Sequence, residues 1–196
     1  MDKNNITTYL QLSNYYRKRQ KTMWINISAF KKAIYWANED IDMPVEADDV
    51  IHWWGVSKNV NKLAGRKNQV ILSNYDLTYL DVGFGGRRGT GYGTFISWRD
   101  VYKFDPRVKD VNVIGGETCM WAETSNAEDI DQKVWTRSAV LNERLWNVGI
   151  DSTKDILNIV ERLVAQTRRM KERGFKASPV TVGLCEKDPS ICFGHG

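Results

Sequence analysis

Short apolar runs separated by longer polar stretches organise the chain from Ala33 onwards. The runs are continuously apolar rather than alternating, which is typical of strands that are buried on both faces. DDVIHWWG, for example, is opened by acidic residues and closed by a glycine. The pattern predicts four buried β-strands, within AIYWAN, DDVIHWWG, NQVILSN and VNVIGGETCMW.

The stretches between and after these runs are compatible with helices or loops and are too long for two-residue hairpins. They are SKNVNKLAGRK, SWRDVYKFDP, DQKVWTRSAVLNERLWN and TKDILNIVERLVAQTRRMKERG. Apolar strands separated by such segments are typical of a parallel sheet with helices packed outside it. The predicted fold class is therefore α/β.

The last predicted helix has the clearest signals. Ser152 or Thr153 can cap its N-terminus, and Gly174 follows basic residues in its last turn. Its apolar positions recur with the period of a helix packed on a core, at Ile156, Ile159, Val160, Leu163 and Val164. We interpret this helix as scaffold.

The composition is that of one ordinary soluble domain, with 196 residues, 42% of them hydrophobic and 27% charged. A net charge of +4 and the basic segments YYRKRQK and RLVAQTRRMKERG raise the question of nucleic acid. The second segment is better explained as the solvated face of an amphipathic helix, so no nucleic-acid partner is expected. The chain lacks an apolar run long enough for a membrane span, and its first residues lack the apolar region of a signal peptide.

The chain has three cysteines and two histidines. Cys119 lies in a strand-like segment and is predicted to be a buried thiol. Cys185 and Cys192 flank the loop EKDPSI, which is short enough to close as a disulfide. His52 and His195 lack the spacing of metal ligands, so neither a metal nor a cofactor is expected.

Two N-glycosylation acceptor patterns occur, Asn5-Ile6-Thr7 and Asn26-Ile27-Ser28. Such patterns also arise by chance and matter only in a secreted chain. Together with the expected disulfide they favour the secretory pathway, with a lysosomal, extracellular or membrane-associated full-length protein.

Aromatic side chains and carboxylates recur at the predicted C-terminal ends of the four strands. They are Trp36, Trp53 and Trp54, Tyr79 and Asp81, and Trp121 and Glu123. In a (β/α) barrel this rim carries the active site, because strand ends hold side chains rigidly while the loops vary. A complete barrel has eight strands and about 250 residues. The sequence therefore predicts the C-terminal half of a (β/α)8 TIM barrel, roughly its strands 5–8.

The motif GGETCMWAE followed by VWTRSAVLNERLWN resembles glycoside hydrolase family 20, the β-N-acetylhexosaminidases. The resemblance runs from about Ala33 to Gly183, and the loop after YLDVGFGG is most similar to that of invertebrate members. It implies an atypical helical segment at 1–32, a partial catalytic barrel at 33–183 and a tail at 184–196 with the possible disulfide. Dimerisation is usual in the family, so a homodimer is expected of the full-length form.

The resemblance also implies a reaction, the hydrolysis of terminal, non-reducing N-acetylglucosamine or N-acetylgalactosamine residues. The substrates would be N-acetylhexosamine-containing glycans or chitooligosaccharides. In this family the 2-acetamido oxygen of the substrate acts as the nucleophile, so the configuration is retained without a protein nucleophile.

By the same resemblance, six residues receive roles in binding the sugar. The walls of an aromatic box that bends the acetamide beneath the anomeric carbon would be Trp36, Trp54 and Trp121. Tyr79 would donate its hydroxyl to the acetamide oxygen. Asp81 and Glu123 would accept hydrogen bonds from the outer hydroxyls, with Glu123 on the same side of an extended chain as Trp121.

Most of these residues have a structural alternative. Trp36 and Trp54 could be core tryptophans at strand ends, and Trp53 is expected to be one, since neighbours in a strand face opposite ways. Asp81 could be a turn or cap residue, and Glu123 a solvated loop carboxylate.

Other motif residues are interpreted as structural or peripheral. Glu117 is interpreted as a buried hydrogen-bonding strut. The loop GFGGRRGTGYG has Arg88 where a dinucleotide motif needs its third glycine, so it is interpreted as a rim loop from which Tyr92 or Phe95 could stack on a following sugar. Helix packing and an ion-pair network are expected of Trp135, Arg137, Glu143, Arg144 and Trp146.

One part of the family's machinery has no counterpart in this sequence. The family uses an adjacent Asp-Glu pair after His-x-Gly-Gly, in which the Glu protonates the leaving oxygen and the Asp steadies the acetamide. The segment GGET lacks both the preceding His and the Asp. The chain alone is therefore expected to be an inactive fragment of the enzyme. The alternatives are a non-catalytic module that binds N-acetylhexosamine or partners an enzyme subunit, and a basic interaction protein that merely inherits the fold.

Overall fold

The computed structural model describes residues 6–27, 32–39, 45–84, 93–151 and 156–181. All four predicted strands are present, and they form one parallel sheet in the order β1-β2-β3-β4. They are β1 (Ile34–Ala37), β2 (Val50–Trp53), β3 (Gln69–Leu72) and β4 (Asn112–Gly116). The α/β class is thereby confirmed. The expectation that all four are buried is wrong for the two outer strands, β1 and β4, most of whose residues are exposed or only partly buried.

Helices precede the sheet, occupy two of its connections and follow its last strand. They are α1 (Tyr9–Ile27), α2 (Tyr75–Thr78), α3 (Trp98–Tyr102), α4 (Ile130–Val134), α5 (Arg137–Trp146) and α6 (Ile156–Glu172), with 3-10 helices at Ser57–Leu63 and Ala122–Thr124. The predicted stop of α6 is confirmed, because Gly174 adopts a φ of 91° and its N–H bonds the carbonyl of Lys171. The predicted caps Ser152 and Thr153 lie outside the described residues. Within the described chain, every helix is too short or too polar to cross a bilayer.

The two faces of the sheet have different partners. Ile51 and Trp53 on β2 are fully buried and belong to the same core cluster as Val101 of α3. The expectation that Trp53 is a core tryptophan is therefore confirmed. The opposite face carries Trp36 of β1 and His52 of β2, which are partners in the strand register. This second face leads to the predicted pocket.

The end of β4 explains the second glycine of the GGET motif, Gly116, whereas a Cβ at Gly115 would meet no other atom within 4 Å among the described residues. The register between β3 and β4 shifts after Val70, which leaves Ile114 as an extra residue on β4. A Cβ at Gly116 would lie 2.9 Å from the Phe104 ring and 3.0 Å from the carbonyl oxygen of Leu72. Close packing at an irregular strand end therefore requires a glycine here.

Pairing between the third and fourth strand units continues beyond the strands themselves. Tyr79 and Cys119 form an isolated parallel bridge. The N–H of Leu80 donates to the carbonyl of Cys119 at 2.8 Å, and the N–H of Cys119 donates to the carbonyl of Thr78 at 2.9 Å. This bridge fixes Tyr79 beside the chain that leads to Trp121.

The helix residues behave only partly as expected. Arg137 and Arg144 are buried, but among the described residues they donate to backbone carbonyls rather than joining an ion-pair network. Glu143 does form an ion pair, with Arg162, at 2.7 Å. Trp146 is 90% exposed at the end of α5, so the expectation that it packs between helices is wrong. A planar guanidinium with several donors can serve the carbonyls of loops that a sequence pattern does not bring together.

Candidate functional site

Four of the predicted site residues form one aromatic cluster. The rings of Trp36 and Trp54 are stacked, with their centroids 6.2 Å apart and their planes 13° apart. Trp121 lies against Trp36 with centroids 6.1 Å apart at 67°, and Tyr79 lies 6.5 Å from Trp121. The cluster joins residues at or beyond the C-terminal ends of all four strands.

Two of these rings present open faces. Trp36 is 39% exposed and Trp121 is 45% exposed, so neither is a core tryptophan within the described chain. Trp54 follows β2 directly, and its backbone N–H donates to the carbonyl of Ala37 at 2.9 Å. Rigidly held aromatic rings with exposed faces are suited to contact the apolar side of a sugar or a methyl group.

Tyr79 combines a buried ring with a protonated hydroxyl. Burial raises the pKa of Tyr79, while a hydrogen bond with the Trp121 side chain opposes that rise. The phenol therefore keeps its proton at neutral pH and can donate a hydrogen bond. Its ring is also held by Tyr75, with centroids 5.2 Å apart.

Asp81 has the most unusual environment in the cluster. Its side chain is 0% exposed, and neither carboxylate oxygen accepts a hydrogen bond from a described residue. Its backbone carbonyl accepts from Thr124 Oγ1 at 2.7 Å. A cap or turn role would use the side-chain oxygens, so these contacts do not support that alternative. A buried carboxylate without donors is unfavourable, so the fold would be stabilised by donors that the described residues do not supply.

Glu123 is the least constrained of the six residues. It is exposed in the 3-10 helix Ala122–Thr124. The chain after Trp121 is therefore helical, and the argument that an extended segment aligns the two side chains is wrong. The Thr124 contact with Asp81 nevertheless ties this short helix to the cluster.

Two residues beside the cluster were missed or misread from the sequence. His52 was considered only as a metal ligand, yet its ring lies 4.4 Å from that of Trp36. Glu117 is half-exposed and contacts His52, so its interpretation as a buried strut is wrong. No local pattern in the sequence identified either residue, because the register between strands decides which alternate positions share a face.

Most of the glycine-rich loop after Phe84 lies outside the described residues. Tyr92 lies outside the described residues, as do Cys185, Cys192, His195 and the first acceptor asparagine. Phe95 is described, and it packs edge-on against Phe84 with centroids 5.1 Å apart. Both rings line a cavity of about 410 Å³ beside Arg137 and Lys133, bounded by α4 rather than by the tryptophan cluster.

One acidic group has the composition of a cation site. Glu46, Asp48 and Asp49 lie within reach of one another. Lys21 of α1 already occupies this position, with its Nζ 2.6 Å from Glu46 and 2.7 Å from Asp49. The group therefore holds the N-terminal helix against the segment before β2, and we assign it no metal.

Cys119 should resist thiol reagents in the folded chain. Burial, together with the nearby Glu117 carboxylate, raises the pKa of the Cys119 thiol to about 12, so it carries very little reactive thiolate. We expect no fast labelling of Cys119 at mildly alkaline pH, and rapid labelling after denaturation. Mass spectrometry of the labelled peptides checks this, and Cys185 and Cys192 should remain unlabelled until reduction if their predicted disulfide forms. Rapid labelling of Cys119 in the native chain would contradict the expectation.

Comparison with known proteins agrees with this geometry. The model of "Glycosyl hydrolase family 20, catalytic domain" matches residues 1–148. A chitooligosaccharidolytic beta-N-acetylglucosaminidase of Ostrinia furnacalis is 32% identical over 95% of this chain and 34% of its own length. A probable beta-hexosaminidase of Drosophila melanogaster is 34% identical over 71% of this chain and 24% of its own.

A solved structure supports the fold in the same way. An exo beta-N-acetylglucosaminidase of Vibrio harveyi, in complex with N-acetylglucosamine, superposes with a TM-score of 0.72 at 19% identity. The superposition covers 90% of this chain and 29% of that one. The chain thus spans about a third of the length of the first of these relatives.

Proposed function

Since this chain belongs to glycoside hydrolase family 20, we propose that it is the sugar-recognising part of a β-N-acetylhexosaminidase. It would form the C-terminal half of a (β/α)8 barrel and bind a terminal N-acetylglucosamine or N-acetylgalactosamine. In the complete enzyme, the bound acetamide would attack the anomeric carbon and the configuration would be retained.

The aromatic cluster accounts for recognition of the acetamide. Trp36, Trp54 and Trp121 supply flat apolar surfaces that would enclose the methyl group and bend the acetamide beneath the sugar ring. Tyr79 would donate its hydroxyl to the acetamide oxygen and orient it toward the anomeric carbon. Positioning of this kind is the main contribution that a protein can make to an intramolecular attack.

The observation that carries the proposal is the buried Asp81 carboxylate. Both of its oxygens lack hydrogen-bond donors among the described residues, two positions after Tyr79 of the aromatic cluster, and Thr124 Oγ1 donates to its backbone carbonyl. Sugar hydroxyls are donors of the required kind, and a buried site makes each such bond strong. Glu123, exposed on the neighbouring 3-10 helix, would accept from a further hydroxyl.

Hydrolysis itself is proposed to require residues that these 196 do not contain. The sequence has no adjacent Asp-Glu pair to protonate the leaving oxygen and steady the acetamide. The outer strands of the four-stranded sheet also carry exposed apolar side chains, Ile34 on β1 and Ile114 on β4. Closure of a barrel by further strands would cover them. We therefore propose binding, rather than catalysis, as the property of this chain on its own.

The proposal is tested by comparing the binding of N-acetylglucosamine and glucose by calorimetry or NMR titration. We expect the chain to prefer N-acetylglucosamine and to release no chromophore from a chromogenic β-N-acetylglucosaminide. Asp81→Asn should weaken binding by roughly tenfold, because the amide loses a charged acceptor. The same change should not raise the free energy of unfolding, because the charge of Asp81 also interacts favourably with the buried guanidinium of Arg137.

Asp110→Asn is the matched control, because Asp110 is exposed beside the opposite end of β4. It should change neither quantity. Equal affinity for the two sugars would contradict acetamide recognition and favour the alternative of a subunit-interaction module. Release of chromophore by the chain alone would contradict the assignment of the acid to other sequence.

The compartment, the substrates and the assembly of the complete protein are also part of the proposal. The acceptor asparagine Asn26 is exposed on α1, which accords with a protein of the secretory pathway. Chitooligosaccharides or N-acetylhexosamine-containing glycans are the proposed substrates of the complete enzyme, and a homodimer its proposed assembly.

A further inference from the structure

His52 lies directly behind one wall of the aromatic cluster. It is the register partner of Trp36 on the neighbouring strand, and the two rings meet edge to face, with centroids 4.4 Å apart at 82°. The other ring contacts of Trp36 are Trp54 and Trp121, which are themselves walls. Among the described residues, His52 is therefore the one ring contact of Trp36 that lies within a strand of the sheet.

The imidazole is held by polar side chains of two further strand units. Its Nε2 lies 2.7 Å from Ser73 Oγ and 2.9 Å from Glu117 Oε1. Ser73 follows β3 and Glu117 follows β4, and both have the alternation that brings them to the face of His52. One polar row thus runs beneath the tryptophans across the sheet.

The chemistry of the row determines where the proton of His52 lies. An ionised carboxylate only accepts hydrogen bonds, so the atom beside Glu117 Oε1 must carry a hydrogen. Burial lowers the pKa of His52, and the Glu117 carboxylate offsets only part of that effect. At neutral pH the ring is therefore neutral, with its hydrogen on Nε2.

We propose that His52 is a positioning residue, anchored through Nε2–H to Glu117, which sets the orientation of Trp36 in the acetamide pocket. The expected effect on sugar binding rests on the proposed function. The coupling between Trp36, His52 and Glu117 does not. Trp36 projects from the outer strand β1 and is 39% exposed, so its ring has few other restraints from the described residues. Loss of either His52 or its anchor would let the wall move.

The test is a double-mutant cycle on the full chain, with His52→Ala, Glu117→Ala and the double variant. Each single change should reduce the preference for N-acetylglucosamine over glucose by roughly tenfold, because a buried hydrogen bond and the ring it orients are lost. The double variant should lose no more than either single one, since both act through one contact. The matched control for Glu117→Ala is Glu128→Ala, an exposed glutamate in the turn before α4, which should leave the preference unchanged.

A purely structural role would lower the melting temperature without changing the ratio of the two affinities, and that result would overturn the proposal. Additive losses would overturn it as well, because Glu117 would then contact the sugar independently. If His52→Ala does not fold, His52→Phe replaces it, since it fills the volume and lacks the N–H. The same non-additive loss is expected of that variant.

Histidine 15N NMR and the indole N–H resonance of Trp36 give a readout that does not need a ligand. The wild-type spectrum should show the Nε2–H tautomer of His52, and the Trp36 resonance should move in both single variants. If the wild type binds neither sugar, the proposed function fails while these spectra still decide the coupling. An unmoved Trp36 resonance, or an Nδ1–H tautomer, would overturn it.

Discussion

Alanine in place of Trp121 will reduce the affinity of the chain for N-acetylglucosamine by about a hundredfold, the size of loss seen when a central aromatic contact is truncated. Trp121 is the junction of the cluster, because its ring contacts both Trp36 and Tyr79. The variant removes one wall and also the side-chain hydrogen bond to the Tyr79 hydroxyl. The fold should survive, since Trp121 is largely exposed and follows β4 rather than belonging to it.

Trp146→Ala is the matched control for this experiment. It removes the same side chain from the end of α5, where the indole is 90% exposed. Titration of both variants with N-acetylglucosamine, alongside thermal unfolding, separates loss of the site from loss of the fold. If Trp121→Ala binds N-acetylglucosamine as tightly as the wild type does, the aromatic cluster is not the acetamide site.

Methionine in place of Arg137 will lower the free energy of unfolding by at least about 3 kcal/mol, because several buried carbonyls lose their donors at once. The guanidinium donates to the carbonyls of Ile96 at 2.8 Å and Leu80 at 2.7 Å. It also lies against the rings of Phe84 and Phe95, 5.1 and 5.2 Å from their centroids. Burial lowers the pKa of Arg137 to about 10, with the Asp81 charge opposing, so the group stays charged at neutral pH.

Arg107→Met provides the comparison. Arg107 pairs with Asp105 at 2.6 Å on the surface, and exposed pairs of this kind contribute little to stability because water and salt screen them. Urea unfolding followed by tryptophan fluorescence measures both variants. Equal stability of Arg137→Met and Arg107→Met would show that the carbonyls around residue 137 find other partners.

Arg137 and Asp81 are linked through the backbone at Leu80. The carbonyl of Leu80 accepts from Arg137, and the next residue is the carboxylate without donors. The guanidinium therefore holds the backbone that presents Asp81, and its charge accompanies that of the buried carboxylate. The fold therefore stabilises the backbone around a buried carboxylate, Asp81, whose hydrogen-bond donors would come from a sugar in the proposed function.

The element pattern was predictable because it depends on local physics. Short apolar runs bounded by turn residues and rich in β-branched side chains favour strands, and the helical period before Gly174 is followed by a residue that ends helices. The aromatic and acidic residues were predictable for a related reason, since they follow directly after those runs. The resemblance of the GGETCMWAE segment then assigned them to one family, and the comparisons confirmed that family.

The failures have a common cause, which is contact between residues distant in sequence. The alignment of Trp121 with Glu123 assumed an extended chain, but the residues after Trp121 turn into a 3-10 helix whose Thr124 contacts Asp81. Arg137 was expected in an ion-pair network, but loops from other units bring it carbonyls.

The sequence by itself determined the strands, the parallel α/β class and the residues available at the strand ends. Only the tertiary structure decided which of them meet. Strand register placed His52 behind Trp36 and beside Glu117, and the packing around Asp81 left its carboxylate without donors from the described chain. Register and burial arise from pairings across the sheet, and no local pattern encodes them.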